Sequence, residues 1–377
     1  MLDSCPKKLQ INHLFSMKDL SNFLPKKIIV KMPNCLGDLI MAIPLLTLLR
    51  KRFPKAHITA MCASSGAALE GNPDVDNIYA YPRWKGSLIK KWGLFKERIA
   101  FLKNGQFDLA ISLHAADFCS HAVHFFLAGV KVRLGHSYLN FPSIVKSFFL
   151  THRRLEKKWV MHNIRRHQEL LLPFGVKVFD EVPEIFVTQQ EEMRALEMVR
   201  RIGCPLGAKI IAVNPKGAMG NAVARHWDME RFVLLAQKIV AEDPSAFVVF
   251  IGEPRNRQVI EQELGPQKGG RIISLAGQTT LREIFALIKI SNALITIDTG
   301  AMHIGVALKK PLVAIIGSAS LVETSPYRVG SVVTSQVGCL SCALHTCPID
   351  HRCMKRVSVD MVYRAFQEEM AKEKANR

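Results

Sequence analysis

Short apolar runs rich in β-branched residues alternate along this chain with longer stretches of helical apolar periodicity. Strands that alternate with helices of about ten to fifteen residues predict parallel sheets with helices on both faces. We therefore expect an α/β protein with two Rossmann-like domains whose sheets face each other across a cleft. Ligands of such sheets bind at the carboxyl ends of the strands. The predicted strands include 26–32, 57–63, 108–113, 209–215, 246–254, 292–297 and 312–318.

The 377 residues are enough for two hydrophobic cores. Residues 1–25 are polar and weakly patterned, which predicts an N-terminal extension. A stretch with two prolines and no clear period, near residues 173–190, marks the boundary between the domains. This places one domain at 26–178 and another at 179–357, followed by a C-terminal helix at 358–377.

The net charge of +19 is concentrated in one half of the chain. Residues 1–180 hold 27 Lys and Arg against 12 Asp and Glu, a net of +15, whereas residues 181–377 hold 24 against 20, a net of +4. Such a basic field attracts nucleic acid, an anionic membrane surface or a phosphorylated substrate. Generic solubility charge is the alternative, but it would be spread more evenly.

No apolar run reaches the roughly 18 residues that a membrane-spanning helix needs. The first 20 residues also lack the continuous apolar segment of a signal peptide. We therefore expect a cytoplasmic protein.

Residues 292–308, NALITIDTGAMHIGVAL, predict a buried strand, a turn and then a helix. An Asp-Thr-Gly turn that opens a helix directs backbone N–H groups and the positive end of the helix dipole at one place. That arrangement suits an anion such as a diphosphate, and His303 could add a donor. The alternative is an ordinary helix N-cap by Asp298 or Thr299, with His303 packed in the core.

The loop after the first strand, residues 33–38, places Asp38 at a strand end near a helix start. Asp38 is a candidate general base, or else an N-cap aspartate. Gly37 beside it permits a close approach of the backbone. The loop matches neither a P-loop nor a GxGxxG fingerprint, which argues against nucleoside triphosphate hydrolysis and ordinary NAD binding.

The first strand of the second domain leads into NPKGAMGNAVARHW. Gly217 and Gly220 suit a tight loop that approaches a ligand, and Lys216, Arg225 and His226 bring positive charge to it. Together with the helix start at 298–300 these residues predict a clamp for a diphosphate. A glycine-containing loop with a solvated arginine is the alternative.

Four cysteines follow one another as C-x2-C-x4-C-x5-C near the C-terminus. In a reducing compartment such a group favours zinc over disulfides, although the spacing is not a standard zinc-finger form. Free, packed thiols are the alternative to a structural zinc. The four residues are Cys339, Cys342, Cys347 and Cys353.

Several of these motifs together resemble the glycosyltransferase family 9 heptosyltransferases. The resemblance is carried by residues 35–58, 217–236, 295–317 and the cysteine-rich tail at 339–354, and it spans roughly residues 26–365. The D-T-G-x-M-H pattern followed by K-P is its most specific part. The resemblance implies a GT-B fold, an acceptor-binding first domain and a donor-binding second domain.

The resemblance also implies roles for individual residues. Asp38 would be the catalytic base of a single inverting displacement, and Arg225 stands where the family usually has a phosphate-binding lysine. A site with this much fixed positive charge would need no divalent metal or other cofactor. Here K-G-A replaces the usual P-G-A, R-H-W replaces K-R-W, and Asp228 replaces a proline. The implied donor-binding residues are Lys216, Gly217, Arg225, His226, Gly252, Glu253, Asp298, Thr299, Gly300, Met302 and His303.

The partners implied are ADP-L-glycero-D-manno-heptose as donor and the lipid A–Kdo core of lipopolysaccharide as acceptor. The heptosyltransferase II type is the first choice, and the I and III types are alternatives within the family. A sugar-nucleotide-binding or RNA-binding protein without catalytic activity is the alternative outside it. We expect no nucleic acid partner, because no nucleic-acid-binding motif accompanies the charge.

Two basic, aromatic stretches suit a lipid-anchored, phosphorylated acceptor at the inner membrane. They are 83–103 and 146–166, and the second lies in a segment, 143–170, that we expect to be helical. They predict a protein that binds peripherally to the cytoplasmic face of the inner membrane. A solvated helix face is the alternative.

Overall fold

A computed structural model shows how the chain folds. The structure describes residues 15–16, 19–63, 66–82, 87–113, 121–138, 148–156, 161–217, 223–265 and 270–375. Contacts divide the described chain into two compact units. The first contains residues up to Asn34 together with Ala42–Gly66 and Asn72–Glu181, and the second contains Cys35–Met41, Ala67–Gly71 and the residues from Val182 onward.

The sheet of the first unit has the strand order β1-β7-β6-β5-β2-β3-β4. All neighbouring strands are parallel except β1, which pairs antiparallel with β7. The strands are β1 Phe15–Ser16, β2 Lys27–Lys31, β3 His57–Cys62, β4 Asn77–Ala80, β5 Leu109–Ser112, β6 Val132–Tyr138 and β7 His152–Glu156. The described helices are α1 Leu36–Arg52, α2 Leu88–Gly105, α3 His121–Leu127 and α4 Asn163–Gln168.

Strand β7 corrects the prediction that 143–170 is helical, because within this segment only α4 is an α-helix among the described residues. His152 and Arg154 are buried while Thr151 and Arg153 are exposed, which is the two-residue period of a strand. The buried face carries polar side chains, so the alternation is invisible in hydropathy. Arg154 is stabilised there by an ion pair of 2.5 Å with Glu169.

The sheet of the second unit is fully parallel, with the order β10-β9-β8-β11-β12-β13. Strand β8 is the first in sequence and lies between β9 and β11, so the chain reverses its direction of winding at β8. The strands are β8 Lys209–Asn214, β9 Ala246–Phe250, β10 Ile272–Ser274, β11 Ala293–Ile297, β12 Leu312–Ile315 and β13 Ser331–Val333. The helices are α5 Gln189–Arg201, α6 Met229–Glu242, α7 Arg257–Leu264, α8 Leu281–Ile290, α9 Gly300–Ala307, α10 Arg352–Lys355 and α11 Val359–Ala375.

The predicted C-terminal helix, α11, packs its apolar face on the core of the second unit. Val362 and Phe366 belong to the same cluster of buried residues as Trp227 and Phe232. The rings of Trp227 and Phe232 meet edge to face at 4.8 Å.

The two parallel sheets confirm the predicted α/β class. None of the described helices is long and apolar enough to span a bilayer.

Candidate functional site

Polar residues gather where β8 and β11 end, at the point where the sheet reverses its winding. Asn214 is the last residue of β8, and Asp298 directly follows β11. The carboxyl ends of strands at such a switch point are where open α/β sheets bind ligands. Most of the predicted site residues lie on the loops and helices that leave this edge.

Helix α9 begins without a side-chain cap. Thr299 occupies the N-cap position but makes no cap hydrogen bond, and its Oγ1 lies 3.3 Å from Thr296 Oγ1. Capping by Thr299, one alternative for this turn, is therefore not observed. The first N–H groups of a helix and its dipole together favour an anion at this position.

Asp298 forms an ion pair with Arg225. Arg225 Nη1 lies 2.8 Å from Asp298 Oδ2, and the Asp298 side chain is only 6% exposed while that of Arg225 is 34% exposed. The pair is not aligned as a hydrogen bond, because Asp298 Oδ2 has no hydrogen-bond partner among the described residues. The structure thus joins two residues that are 73 positions apart in the sequence (298 − 225).

The pKa of the Asp298 carboxyl is raised to about 6, chiefly because the group is buried; the positive charge of Arg225 lowers this pKa, and the negative charge of Asp38 contributes to the rise. Asp38 lies in the first turn of α1, so it is not an N-cap residue. Because the charge of Asp38 affects Asp298, this candidate base lies near the ion pair between Asp298 and Arg225. Residues 35–41 and 298–303 belong to the same compact unit.

Gly37 makes the approach of α1 to α9 possible. A Cβ atom added at Gly37 would lie 2.6 Å from Cδ2 of His303, a distance that real Cβ atoms essentially never show. His303 is buried on α9, with 6% of its surface exposed. Any side chain at position 37 would therefore displace the histidine ring.

The loop after β8 contacts the turn after β11. A Cβ atom at Gly217 would lie 3.0 Å from Cγ2 of Thr299, so glycine lets this loop come close. Burial lowers the pKa of His226, and the charges of Lys216 and His351 lower it further. His226 is therefore neutral at pH 7. Residues 218–222, including Gly220, lie outside the described residues.

The remaining predicted donor-binding residues lie after β9 or on α9, close to the carboxyl ends of the strands. Gly252 follows β9, which pairs with β8, and Glu253 forms a 2.7 Å ion pair with Arg255. Gly300 begins α9, and a Cβ there would lie 3.3 Å from Cδ2 of Leu36. Met302 is completely buried on α9. The ligand contacts of these residues stay predictions.

Two polar residues at this edge were not predicted. Oδ1 of Asn214 and Oγ of Ser318 are buried and have no hydrogen-bond partner in the described part of the chain. Ser318 follows β12, and both residues are at least nine-tenths buried. The sequence signal that could have identified both residues is a polar residue at the end of an apolar strand. Buried polar atoms normally have partners, which makes these two atoms candidates for contact with a ligand.

The cysteine tail gives no metal centre that can be identified. No group of three or more His, Cys, Asp or Glu side chains among the described residues is close enough to hold a metal ion. Cys353 is buried, and its pKa is raised by burial and by the neighbouring Cys339, Cys342 and Cys347 thiols. A structural zinc therefore stays a prediction.

Comparison with known proteins decides the family. The model of glycosyltransferase family 9 (heptosyltransferase) matches residues 98–352, about two thirds of the chain. The chain belongs to glycosyltransferase family 9. It is therefore an enzyme, a glycosyltransferase, rather than a binding protein without catalytic activity, and the predicted family is confirmed.

Curated relatives of this glycosyltransferase match it over most of its length. Lipooligosaccharide heptosyltransferase 2 of Campylobacter jejuni is 23% identical over 345 residues, which cover 89% of this chain and 96% of the relative. Lipopolysaccharide heptosyltransferase 2 of Escherichia coli is 26% identical over 308 residues, which cover 80% of this chain and 85% of the relative.

Solved structures confirm the predicted GT-B fold. The structure of E. coli ADP-heptose LPS heptosyltransferase II has a TM-score of 0.76 at 21% identity, covering 92% of this chain and 99% of that one. A family 9 glycosyltransferase from Veillonella parvula has a TM-score of 0.77 at 22% identity, covering 92% and 97% of the two chains.

Proposed function

We propose that this enzyme transfers heptose from ADP-L-glycero-D-manno-heptose to the lipid A–Kdo inner core of lipopolysaccharide, as a heptosyltransferase of type II. The observation that carries this proposal is the Arg225–Asp298 ion pair beside the uncapped start of α9, with Asp38 near enough to raise the pKa of Asp298. Relatives named heptosyltransferase 2 support the type. A solved neighbour of lower identity was determined with ADP-2-deoxy-2-fluoro heptose, which supports the donor.

The donor diphosphate binds at the start of α9. Its oxygens accept hydrogen bonds from the first amides of the helix, where the dipole favours negative charge. Arg225 and Lys216 supply positive charge on the opposing loop, and a guanidinium can bind a phosphate through two nitrogens. Asp298 orients Arg225 through the ion pair between the two side chains. These groups stabilise the charge that grows on the leaving ADP.

Asp38 is the general base. Its carboxylate takes the proton of the acceptor hydroxyl while that oxygen forms a bond to the anomeric carbon of the heptose. The bond from the anomeric carbon to the diphosphate oxygen breaks on the opposite face, and its electron pair leaves with ADP. The displacement inverts the anomeric configuration. Because fixed cations meet the leaving charge, we expect the reaction to need no divalent metal.

The other predicted residues complete the donor site. His303 donates to a diphosphate oxygen, and Gly252 and Glu253 contact ribose or sugar hydroxyls. Neutral His226 has a ring nitrogen to donate and one to accept. Met302 and Gly300 support the nucleotide from α9.

Helix α2 is the proposed membrane contact of this cytoplasmic enzyme. Leu88, Ile89 and Trp92 are 82%, 84% and 58% exposed at the start of the helix. Lys90, Lys91 and Lys96 flank them, with Lys96 Nζ lying 5.5 Å from the Trp92 ring centroid. Exposed apolar side chains among lysines suit the interface of an anionic inner membrane, where the acceptor lipid resides.

The test is transfer by the purified enzyme with a panel of nucleotide sugars and two acceptors. The acceptors are Kdo-lipid A and Kdo-lipid A that already carries one heptose. We expect turnover with ADP-heptose and the heptosylated acceptor only. Turnover of the unheptosylated acceptor would instead indicate the type I enzyme, and preference for another donor would refute the proposed sugar.

A further inference from the structure

The segment 341–357, here called the tail brace, runs between two parts of the site edge. At one end it binds the loop after β12, where the N–H of Ser341 donates to Gly317 O at 2.9 Å and the N–H of Ala343 donates to Ser318 O at 2.6 Å. At the other end it contacts the start of α6, because Trp227 Nε1, just before the helix, and Arg231 Nη1, in its first turn, donate to Val357 O at 3.0 and 2.7 Å. The tail brace therefore joins the end of β12 to the region that follows Arg225.

Between these ends the tail brace holds Ala224 through both of its backbone groups. The N–H of Ala224 donates to His345 O at 3.0 Å. The carbonyl oxygen of Ala224 lies 2.8 Å from Nε2 of His351. A carbonyl oxygen can only accept, so Nε2 of His351 is the donor. Ala224 is only 2% exposed, which leaves the same carbonyl little access to water.

Holding the Ala224 carbonyl fixes the direction in which Arg225 leaves the backbone. The carbonyl of Ala224 and the nitrogen of Arg225 share one planar peptide unit. A rotation of that plane would move the Arg225 side chain relative to Asp298, its partner at 2.8 Å. The hydrogen bond from His351 thus acts on the proposed phosphate-binding group through a single peptide bond.

His351 is itself held in an unusual conformation. Its φ is +59°, in the left-handed region, immediately before α10. Its backbone N–H lies 3.3 Å from Sγ of Cys347, which accepts this hydrogen bond. Among non-glycine residues histidine is one of those found more often in the left-handed region, and glycine adopts that region at no steric cost. Glycine can therefore replace histidine at position 351 without backbone strain, so that the substitution removes only the imidazole ring.

We propose that His351 is a positioning residue that orients Arg225 toward the donor diphosphate. The inference deepens the proposed function, since it rests on Arg225 binding that diphosphate. It also gives the cysteine-rich tail a role in the reaction, because Cys347 fixes the backbone of His351. The proposal needs no metal ion and no disulfide.

The test is ADP binding by calorimetry, with thermal unfolding as the check on folding. His351→Gly removes the ring and relaxes the backbone, and we expect it to weaken ADP binding roughly three- to tenfold, the effect of one hydrogen bond. His351→Gln restores an N–H donor and should recover most of the affinity. His345→Ala is the matched control, because His345 contacts Ala224 only through its backbone carbonyl.

A double-mutant cycle separates positioning from a general structural effect. Arg225→Ala should weaken ADP binding about ten- to a hundredfold. If His351 acts through Arg225, His351→Gly adds nothing to the loss in the Arg225→Ala background. Equal losses in both backgrounds would overturn the inference.

The two proposals fail in different ways. If Arg225→Ala loses affinity and His351→Gly binds ADP like the wild type, only the positioning role is wrong. If Arg225→Ala binds ADP like the wild type, the phosphate contact of Arg225 is wrong and the positioning role falls with it.

Discussion

Helices α8 and α9 of the second unit each begin after a threonine, and they begin differently. At the start of α8, Thr280 Oγ1 accepts from the N–H of Glu283 at 3.3 Å, and the Glu283 carboxylate accepts from the N–H of Thr280 at 2.7 Å. At the start of α9, Thr299 makes no such bond, and the sequence after it is Gly-Ala-Met. The first start is closed by its own side chains, as in the capping box at Thr188 and Glu191.

The difference separates a helix start with a purely structural role from the one that we propose to bind the donor. A reciprocal cap satisfies amides that would otherwise need a partner, and it places a carboxylate where an anion would bind. The start of α9 lacks that carboxylate and instead lies beside Arg225, Asp298 and Asp38. We therefore expect changes around α9 to affect transfer more than stability, and changes at the start of α8 to do the opposite.

The largest effect is expected for Asp38→Asn. Loss of a general base should lower the transfer rate about 10²- to 10⁴-fold. ADP affinity and the melting temperature should change little, since the amide is isosteric. Rates from a coupled ADP-release assay, with ADP affinity from calorimetry, check this. Transfer at the wild-type rate would show that Asp38 is not the base.

The next effect is expected for Gly37→Ala. The added methyl group would meet the His303 ring at 2.6 Å, so the ring must move away from the α9 start. Misplacement on this scale should slow transfer roughly ten- to a hundredfold. Gly93→Ala on α2 is the matched control, because nothing lies within 4 Å of its added Cβ.

The control should leave transfer unchanged and stabilise the protein by up to about 1 kcal/mol, as alanine does for glycine within a helix. Steady-state kinetics and chemical unfolding measure the two effects. If Gly37→Ala were as active as Gly93→Ala, α1 and α9 would not need their close approach.

The free energy of unfolding should depend on pH through the titration of Asp298, the buried carboxyl beside the start of α9. The pKa of Asp298 is about 6 in the folded state and 3.8 as its ordinary value, so the folded protein holds this proton more tightly. The resulting stabilisation is complete below pH 3.8 and is lost as the pH rises through 6. It amounts to about 2–3 kcal/mol.

The amide of Asp298→Asn cannot titrate, so the free energy of unfolding of this variant should depend less on pH between 4 and 7. Urea unfolding of both proteins between pH 4 and pH 7 tests it. An unchanged slope in the variant would mean that Asp298 titrates normally. ADP binding should weaken in the same variant, because Arg225 loses the partner that orients it.

The smallest effects on the free energy of unfolding are expected for substitutions of Thr280 and Thr299. Thr280→Ala removes a cap and should cost about 1 kcal/mol of unfolding free energy without changing transfer. Thr299→Ala removes no cap hydrogen bond and should cost less than about 0.5 kcal/mol. Chemical unfolding of the two variants gives the comparison directly, and equal costs would show that α9 is capped like α8.

Sequence reasoning found most of this architecture because the strands are apolar on both faces, as buried parallel strands are. It failed at β7, where His152 and Arg154 fill the buried face and hide the strand period. It found Asp298 and Arg225 as separate motifs, but only the folded chain pairs them. It missed Asn214 and Ser318, whose significance lies in the absence of partners among the described residues, a property of packing.

The role of the tail brace was equally beyond sequence reasoning. The four cysteines suggested a metal site or packed thiols, and nothing in their spacing pointed to Ala224. The contact between His351 and Ala224 joins residues 127 positions apart. Such contacts depend on tertiary packing, which local patterns do not specify.

The most direct test of the proposed donor site at the start of α9 is a calorimetric comparison of ADP with AMP. The two ligands share adenine, ribose and one phosphate, so the difference in affinity isolates the second phosphate. We expect ADP to bind at least about tenfold more tightly than AMP, since charged hydrogen bonds of this kind contribute about 1.5–3 kcal/mol. Equal affinities for ADP and AMP would contradict the account.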